Sequence, residues 1–238
     1  MKKVLIVVVS YNEAENIGNI LSRILKETSR LQSYLVDVLV VDGHSPDGTA
    51  SVVEALAKTN PKINLLVEEK KEGLGPAYAK GFKWGLDRDY DLLFECDADL
   101  SHDPKYIPEM LRLSEGSDLV IGSRYVAGGG TVGWGFLRRA ISFGASLYTR
   151  AITGLPIHYV TGGFKCFHRE VLEQVRFDDV QAFGYGFQIE LNYRVWKAGF
   201  KIAETPIIFP DREKGVSKFN SRIFLEALVL VWRLRLGI

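Results

Sequence analysis

The sequence predicts an α/β protein built on a Rossmann-like, mostly parallel sheet with helices on both faces, and three observations predict it. The run Val4–Val9 is aliphatic at every position, the pattern of a parallel strand buried on both faces. Such runs alternate with stretches whose apolar residues recur at helical spacing, giving β-α-β-α-β-α-β over the first hundred residues or so. Three of the strand ends carry acids, Glu13, Asp42, and Asp97 with Asp99. A doubly wound sheet gathers its ligands at that edge.

In order, Val4–Val9 ends at Ser10-Tyr11-Asn12-Glu13, and Ile17, Ile20, Leu21, Ile24 and Leu25 then mark a helix. Val36–Val41 is the second strand. It runs into a turn in which Asp47 can cap the helix carrying Val52, Val53, Leu56 and Ala57. Asn64–Val67 is the third strand, followed by Gly73-Leu74-Gly75-Pro76, with Pro76 suited to the first position of a helix over 77–86. Asp91–Cys96 is the fourth, and beyond its acidic turn Pro104 and Glu109 suit the opening turns of another helix.

The second half is less regular. Leu119–Gly122 is a strand leading into Ser123-Arg124-Tyr125. The glycine-rich segment 127–133 lacks the strand-to-helix placement of a dinucleotide fingerprint and is expected to be a mobile lid. Residues 137–152 read as a helix with Arg138 and Arg139 in its first turn, where cations oppose the helix dipole unless an anion binds nearby. Residues 163–167 read as an edge strand and 184–197 as a helix. The last strand spans 200–209, and Pro206 confines it to an edge or turns it out of the sheet. In the basic loop 211–218, Arg212 and Lys218 are suited to phosphates, although a solvated charged loop has the same composition. The tail 223–238 mixes leucines, Phe224 and Trp232 with Arg233 and Arg235, which fits either packing on the domain or an interfacial helix.

Composition bounds the function. Thirty basic against 29 acidic residues give a net charge of +1, so no global field recruits nucleic acid and any anion site must be local. Cys96 and Cys166 lie in apolar runs without metal-ligand spacing, as buried free thiols of a reducing compartment would. The N-terminal run is too short for a secretory signal, and no stretch of about 20 apolar residues is present to span a bilayer. The four histidines form no cluster and no Ser-His-Asp spacing occurs. What remains is Asp97-Ala98-Asp99 at a strand tip. Paired carboxylates there suit a hard cation such as Mg²⁺ or Mn²⁺ that also takes substrate phosphate oxygens, although the pattern alone equally fits a solvated acidic turn.

The company of that motif narrows the reading. Ser10-Tyr11-Asn12-Glu13, Ser45-Pro46-Asp47-Gly48-Thr49, Gly73-Leu74-Gly75, Asp97-Ala98-Asp99-Leu100-Ser101-His102 and Gly122-Ser123-Arg124-Tyr125 occur in this order. Trp134 with Arg138 and Ser142, Thr161-Gly162-Gly163-Phe164, Gln188 with Glu190, and Arg212 with Ser217-Lys218 follow. Together they resemble the family 2 glycosyltransferases of GT-A fold, and within them the dolichol (polyprenol) phosphate mannose synthases, over residues 4–219.

That resemblance implies inverting transfer of mannose from GDP-mannose to polyprenol phosphate. It implies that Ser10, Tyr11, Glu13 and Asp42 hold the donor nucleotide. Asp97, Ala98 and Asp99 meet the diphosphate, with Asp97 and Asp99 as ligands of Mg²⁺ or Mn²⁺. Arg124 and Arg138 receive the acceptor phosphate, and Arg212 and Lys218 close over the donor phosphates. Asp99, Arg124 and Arg138 are thus the expected catalytic residues, and His102 is left as structural. Residues 1–219 form the expected catalytic domain and 220–238 an amphipathic helix. The enzyme is expected at the cytoplasmic face of a membrane, reaching its lipid through the tail helix, the 128–137 loop or a small membrane-protein partner. The chain departs from the family at Asp42-Gly43, where paired aspartates are usual, at Tyr159, where Asp is frequent, and at Lys165, where Arg is. The alternatives are UDP-glucose as donor and a non-catalytic nucleotide-sugar-binding module.

Overall fold

The computed structural model of the chain describes residues 1–177, 180, 184–211 and 221–237. Its first half follows the alternation read from the sequence: β1 (Lys2–Ser10), α1 (Ala14–Thr28), β2 (Tyr34–Asp42), α2 (Thr49–Thr59), β3 (Ile63–Val67), α3 (Leu74–Leu86) and β4 (Leu92–Asp97). A 3-10 turn, Pro104–Tyr106, leads into α4 (Ile107–Ser114), then β5 (Leu119–Ser123), β6 (Gly130–Val132) and α5 (Phe136–Thr153). The remainder is β7 (Lys165–His168), α6 (Arg169–Val175), α7 (Tyr185–Lys197), β8 (Ile202–Pro206), β9 (Ile208–Pro210) and α8 (Ser221–Leu236).

Seven strands form one sheet in the order β3-β2-β1-β4-β7-β5-β8. Six run parallel, and β7 lies antiparallel to both its neighbours, β4 and β5. Alternation along β1 divides the core in two. Val4, Ile6 and Val8 pack with Ile17, Ile20 and Ile24 of α1 and Val53 of α2 on one face. Leu5 and Val7 meet Tyr78 and Phe82 of α3 and Leu191 of α7 on the other. α3 lies close on the sheet because of its glycines: a Cβ on Gly81 would fall 2.4 Å from Val7 Cγ1. Val231 of α8 is buried in this second core, so the tail packs on the domain.

One expectation is corrected. Residues 163–167 are not an edge: β7 lies inside the sheet between β4 and β5, and β3 and β8 are the edges. The strand's apolar character is local, whereas its position follows from pairing with strands distant in sequence. The glycine-rich segment, expected as a lid, carries a short strand: β6 pairs in parallel with β9, and Asp211 N–H donates to Val132 O at 2.8 Å. Glycine is required because the chain crosses the β5 tip closely: a Cβ on Gly129 would lie 2.5 Å from Ser123 O. β9 leaves the large sheet directly after Pro206, as that proline implied. Pro76 stands third in α3 rather than first, still within the turn whose N–H groups lack helical partners.

Candidate active site

The acids sit where the topology sends them. Ser10 lies opposite Asp42 across β1 and β2, and Val9 lies opposite Asp97 across β1 and β4, so three strand tips share one edge. Asp47 ties the loops above it: Oδ1 accepts from Thr49 N–H and Oγ at 3.0 and 2.6 Å, and Oδ2 accepts from Ala14 N–H at 3.0 Å. One carboxylate thus satisfies opening N–H groups of both α1 and α2. Backbone strain collects here too, with Asn12, His44 and Leu100 at φ of 60, 59 and 63°. Each such residue costs on the order of 1 kcal/mol.

At the nucleotide corner, Asp42 is fully buried and orders its own turn. Its Oδ1 accepts from Ser10 Oγ at 2.9 Å and Ser45 Oγ at 2.6 Å, and Oδ2 from Ser45 N–H at 2.8 Å. Glu13 precedes α1 and accepts from Asn16 Nδ2 at 2.7 Å. The Tyr11 ring carries the Lys71 ammonium 3.5 Å from its centroid.

β4 ends at Asp97, and Asp99 lies in the turn beyond it. Tyr78 O–H donates to Asp97 Oδ1 at 2.9 Å, and burial with the nearby Asp97 and Glu95 carboxylates pushes that phenol far above its usual value, which keeps it a donor. Asp99 Oδ1 accepts from Ser101 N–H at 3.1 Å and Ser101 Oγ at 2.5 Å, while Ala98 is buried between the two acids. Hydroxyl donors that hold carboxylates in one orientation are the outer shell a hard cation needs, and two carboxylate oxygen donors match Mg²⁺ or Mn²⁺. Among the described residues no group of three His, Cys, Asp or Glu forms a complete cage, so the remaining ligands would be substrate or water. His102 is not a metal ligand through Nδ1, which accepts from Asp97 N–H at 2.9 Å while the ring stacks on Phe164.

The two arginines meet on one tryptophan. Arg124 Cζ lies 4.2 Å from the Trp134 and Tyr159 ring centroids, 5.0 Å from Phe209 and 5.2 Å from Tyr125. Arg138 Cζ lies 3.8 Å from Trp134, and its Nη1 pairs with Asp211 Oδ1 at 2.6 Å. Arg124 is only 7% exposed; its Nη2 donates to Ser142 Oγ at 2.7 Å, while its buried Nε has no hydrogen-bond partner among the described residues. No carboxylate stands within ion-pair reach of Arg124 among the described residues, and the Tyr159 ring faces it instead. A desolvated guanidinium caged by π-faces but unneutralised is a receptor for an anion. Rings connect this cluster to the acids: His102 packs against Phe209, and Phe209 against Trp134. Arg212 and Lys218 lie outside the described residues.

Beneath the acidic turn lies a feature that sequence reasoning missed. Glu95 and Lys165 face each other across β4 and β7, both fully buried, with Oε2 and Nζ 3.7 Å apart, and Nζ also donates to Gln188 Oε1. Burial raises the Glu95 carboxyl to about 7 and lowers the Lys165 ammonium to about 8. The signal was present, since a glutamate inside the apolar run Leu92–Cys96, two residues before Asp97, must share its face of the pleat.

A family model described as Glycosyl transferase family 2 matches residues 5–176. An undecaprenyl-phosphate mannosyltransferase of Micrococcus luteus is 41% identical over 231 residues, covering 97% of this chain and 93% of that one. A polyprenol monophosphomannose synthase of Mycolicibacterium smegmatis is 40% identical over 238 residues, covering 98% and 88%. Among solved structures, glucosyl-3-phosphoglycerate synthase from Mycobacterium tuberculosis with Mn²⁺, UDP-glucose and phosphoglyceric acid is 20% identical at a TM-score of 0.69. That match covers 100% of this chain and 80% of the other. A mannosyltransferase from Pyrobaculum calidifontis in complex with GDP-Man and Mn²⁺ is also 20% identical, at a TM-score of 0.59, covering 97% and 69%. Likeness at that identity bears on the fold, which is the GT-A arrangement. The family model and the two close relatives bear on descent, and by them the chain belongs to glycosyl transferase family 2.

Proposed function

We propose that this enzyme transfers mannose from GDP-mannose to the phosphate of a polyprenol, with inversion at the anomeric carbon. The observation that carries the acceptor assignment is Arg124, buried in aromatic rings with no carboxylate among the described residues to neutralise it. The names of the two relatives that match nearly the whole chain agree with it.

The chemistry needs no strong base. A phosphate monoester is largely dianionic at neutral pH, its second pKa being about 6, and is already a nucleophile. An acceptor phosphate oxygen forms a bond to the anomeric carbon as the bond to the diphosphate oxygen breaks, and GDP leaves with that electron pair. Two anions must therefore be brought together, which is the task of Arg124 and Arg138 on the acceptor side and of Arg212 and Lys218 on the donor side. Asp97 and Asp99 would hold Mg²⁺ or Mn²⁺, which would neutralise the charge gathering on the leaving diphosphate. Ser10, Tyr11, Glu13 and Asp42 line or shape the nucleotide end, and Ala98 lets the diphosphate approach the turn.

Residues 1–219 act as the catalytic domain, with 220–238 as a helix near the membrane. No helix among the described residues is long and apolar enough to cross a bilayer. Peripheral attachment instead fits α5, whose Phe136 and Leu137 are 80% and 71% exposed beside Arg138 and Arg139, together with Trp232 of α8. A small membrane protein and the cytoplasmic leaflet remain part of this reading.

The test is transfer of labelled sugar to a short polyprenyl phosphate in detergent with Mg²⁺ or Mn²⁺, comparing GDP-mannose, GDP-glucose, UDP-glucose and UDP-N-acetylglucosamine. Lipid-linked mannose from GDP-mannose is expected. Product from a UDP-sugar alone would overturn the donor, and equal transfer to the unphosphorylated polyprenol would overturn the acceptor. Trp134→Ala, which removes the ring shared by both arginines, is expected to raise the KM for polyprenyl phosphate about tenfold, the worth of a desolvated cation–π contact. GDP affinity should stay unchanged, as measured by calorimetry.

A further inference from the structure

The departure at Gly43 has a structural counterpart. β2 pairs Asp42 with Ser10 on one side and with Val67 on the other, so the residue after β3, Glu68, stands at the same corner. Its N–H donates to Asp42 O at 2.8 Å. The side chain is 1% exposed. Oε1 accepts from the Lys80 ammonium at 2.7 Å, and Oε2 has no hydrogen-bond partner among the described residues. A Cβ built on Gly43 would lie 3.6 Å from Glu68 Oε2 and 3.3 Å from Tyr11 Cδ2. The space that an acid at position 43 would enter is therefore the space that the Glu68 carboxylate reaches from the neighbouring strand. Asp42 does not fill that role, because Ser10 and Ser45 already engage both its oxygens.

We propose that Glu68 is the second acid of the nucleoside pocket and reads the base of the donor, accepting hydrogen bonds from N1–H and N2–H of guanine. The proposal rests on the GDP-sugar reading above. Guanine offers two adjacent N–H donors on that edge, uracil offers one, and adenine sets a lone pair there against the carboxylate. A charge-assisted bond to a buried acid is strong, and a base that leaves the acid unpaired is correspondingly rejected. Lys80 offsets the buried charge when the pocket is empty. Tyr11 walls the space from the β1 side, with Lys71 over its ring.

The experiment measures GDP, ADP and UDP binding by calorimetry with Mn²⁺ present. It compares the unsubstituted protein with Glu68→Ala, Glu68→Gln and the double variant Glu68→Ala/Gly43→Asp. Glu68→Ala is expected to weaken GDP about 10- to 100-fold while ADP changes little, so that selectivity collapses. Glu68→Gln, nearly isosteric, keeps the packing and should lose the same selectivity. In the double variant an aspartate enters the vacated volume at a position whose backbone carries no positive φ, and GDP preference should return. A merely structural Glu68 predicts no such return. Unchanged GDP preference in Glu68→Ala, or equal loss for all three nucleotides without recovery, would overturn the proposal while leaving the donor intact. A wild-type preference for UDP would overturn the donor reading and this inference together.

Discussion

Asp99→Ala is expected to abolish transfer, lowering kcat by about 10³ or more, with the fold retained. Removing a preorganised electrostatic group from a site where charge develops costs about this much. The Oδ1 bonds of this side chain run to Ser101 N–H and Oγ, two residues on, and so hold the acidic turn rather than join it to the core. The variant should therefore melt within a few degrees of wild type while failing to bind Mn²⁺ in the presence of GDP. Assay, melting curve and metal titration together make the check, and wild-type turnover by Asp99→Ala would sink the metal-site assignment.

Lys165→Met is expected to have the largest effect on stability. It removes the cation and leaves Glu95 buried beside no compensating charge, a change that costs about 3–5 kcal/mol. In a chain of this size the melting temperature should fall by about 10 °C. The double variant Glu95→Leu/Lys165→Met, which replaces the pair with apolar volume, should recover most of the loss. Burial holds Glu95 at about 7, above its ordinary 4.5, so between those values the native state binds more protons than the unfolded chain and stability falls as pH rises. Burial holds Lys165 at about 8, below its ordinary 10.5, so across that window the unfolded chain binds more protons and stability climbs with pH. The pair's contribution is thus least favourable near pH 7–8. Urea unfolding at pH 5, 7.5 and 9.5 should show this dip in wild type relative to the double variant. A constant difference across the three would refute it.

What was legible in the sequence followed from local chemistry. Val4–Val9 announces a strand covered on both faces, and the helices beside it carry their own period, so the first four strands and three helices could be read directly. The tips followed, because residues just after such strands have one place to go. Long-range pairing was not legible. Lys165–His168 has strand composition, but nothing in four residues says that they sit between β4 and β5 or run against them. The Arg124 cage takes rings from Tyr125, Trp134, Tyr159 and Phe209, which only the folded chain assembles. Glu68 sits in Glu68-Glu69-Lys70-Lys71-Glu72, a charge run that reads as solvent-facing, and only the β2–β3 register turns one of its acids inward.

The interior position of β7 also governs the order in which the chain can become a protein. During synthesis β4 and β5 emerge well before residues 165–168, and until those arrive each presents an open edge bearing Phe94, Cys96, Leu119 and Ile121. Such edges invite pairing with other chains. In the large sheet, the half that carries the acids and the half that leads to Arg124 are thus joined across four residues of a reversed strand.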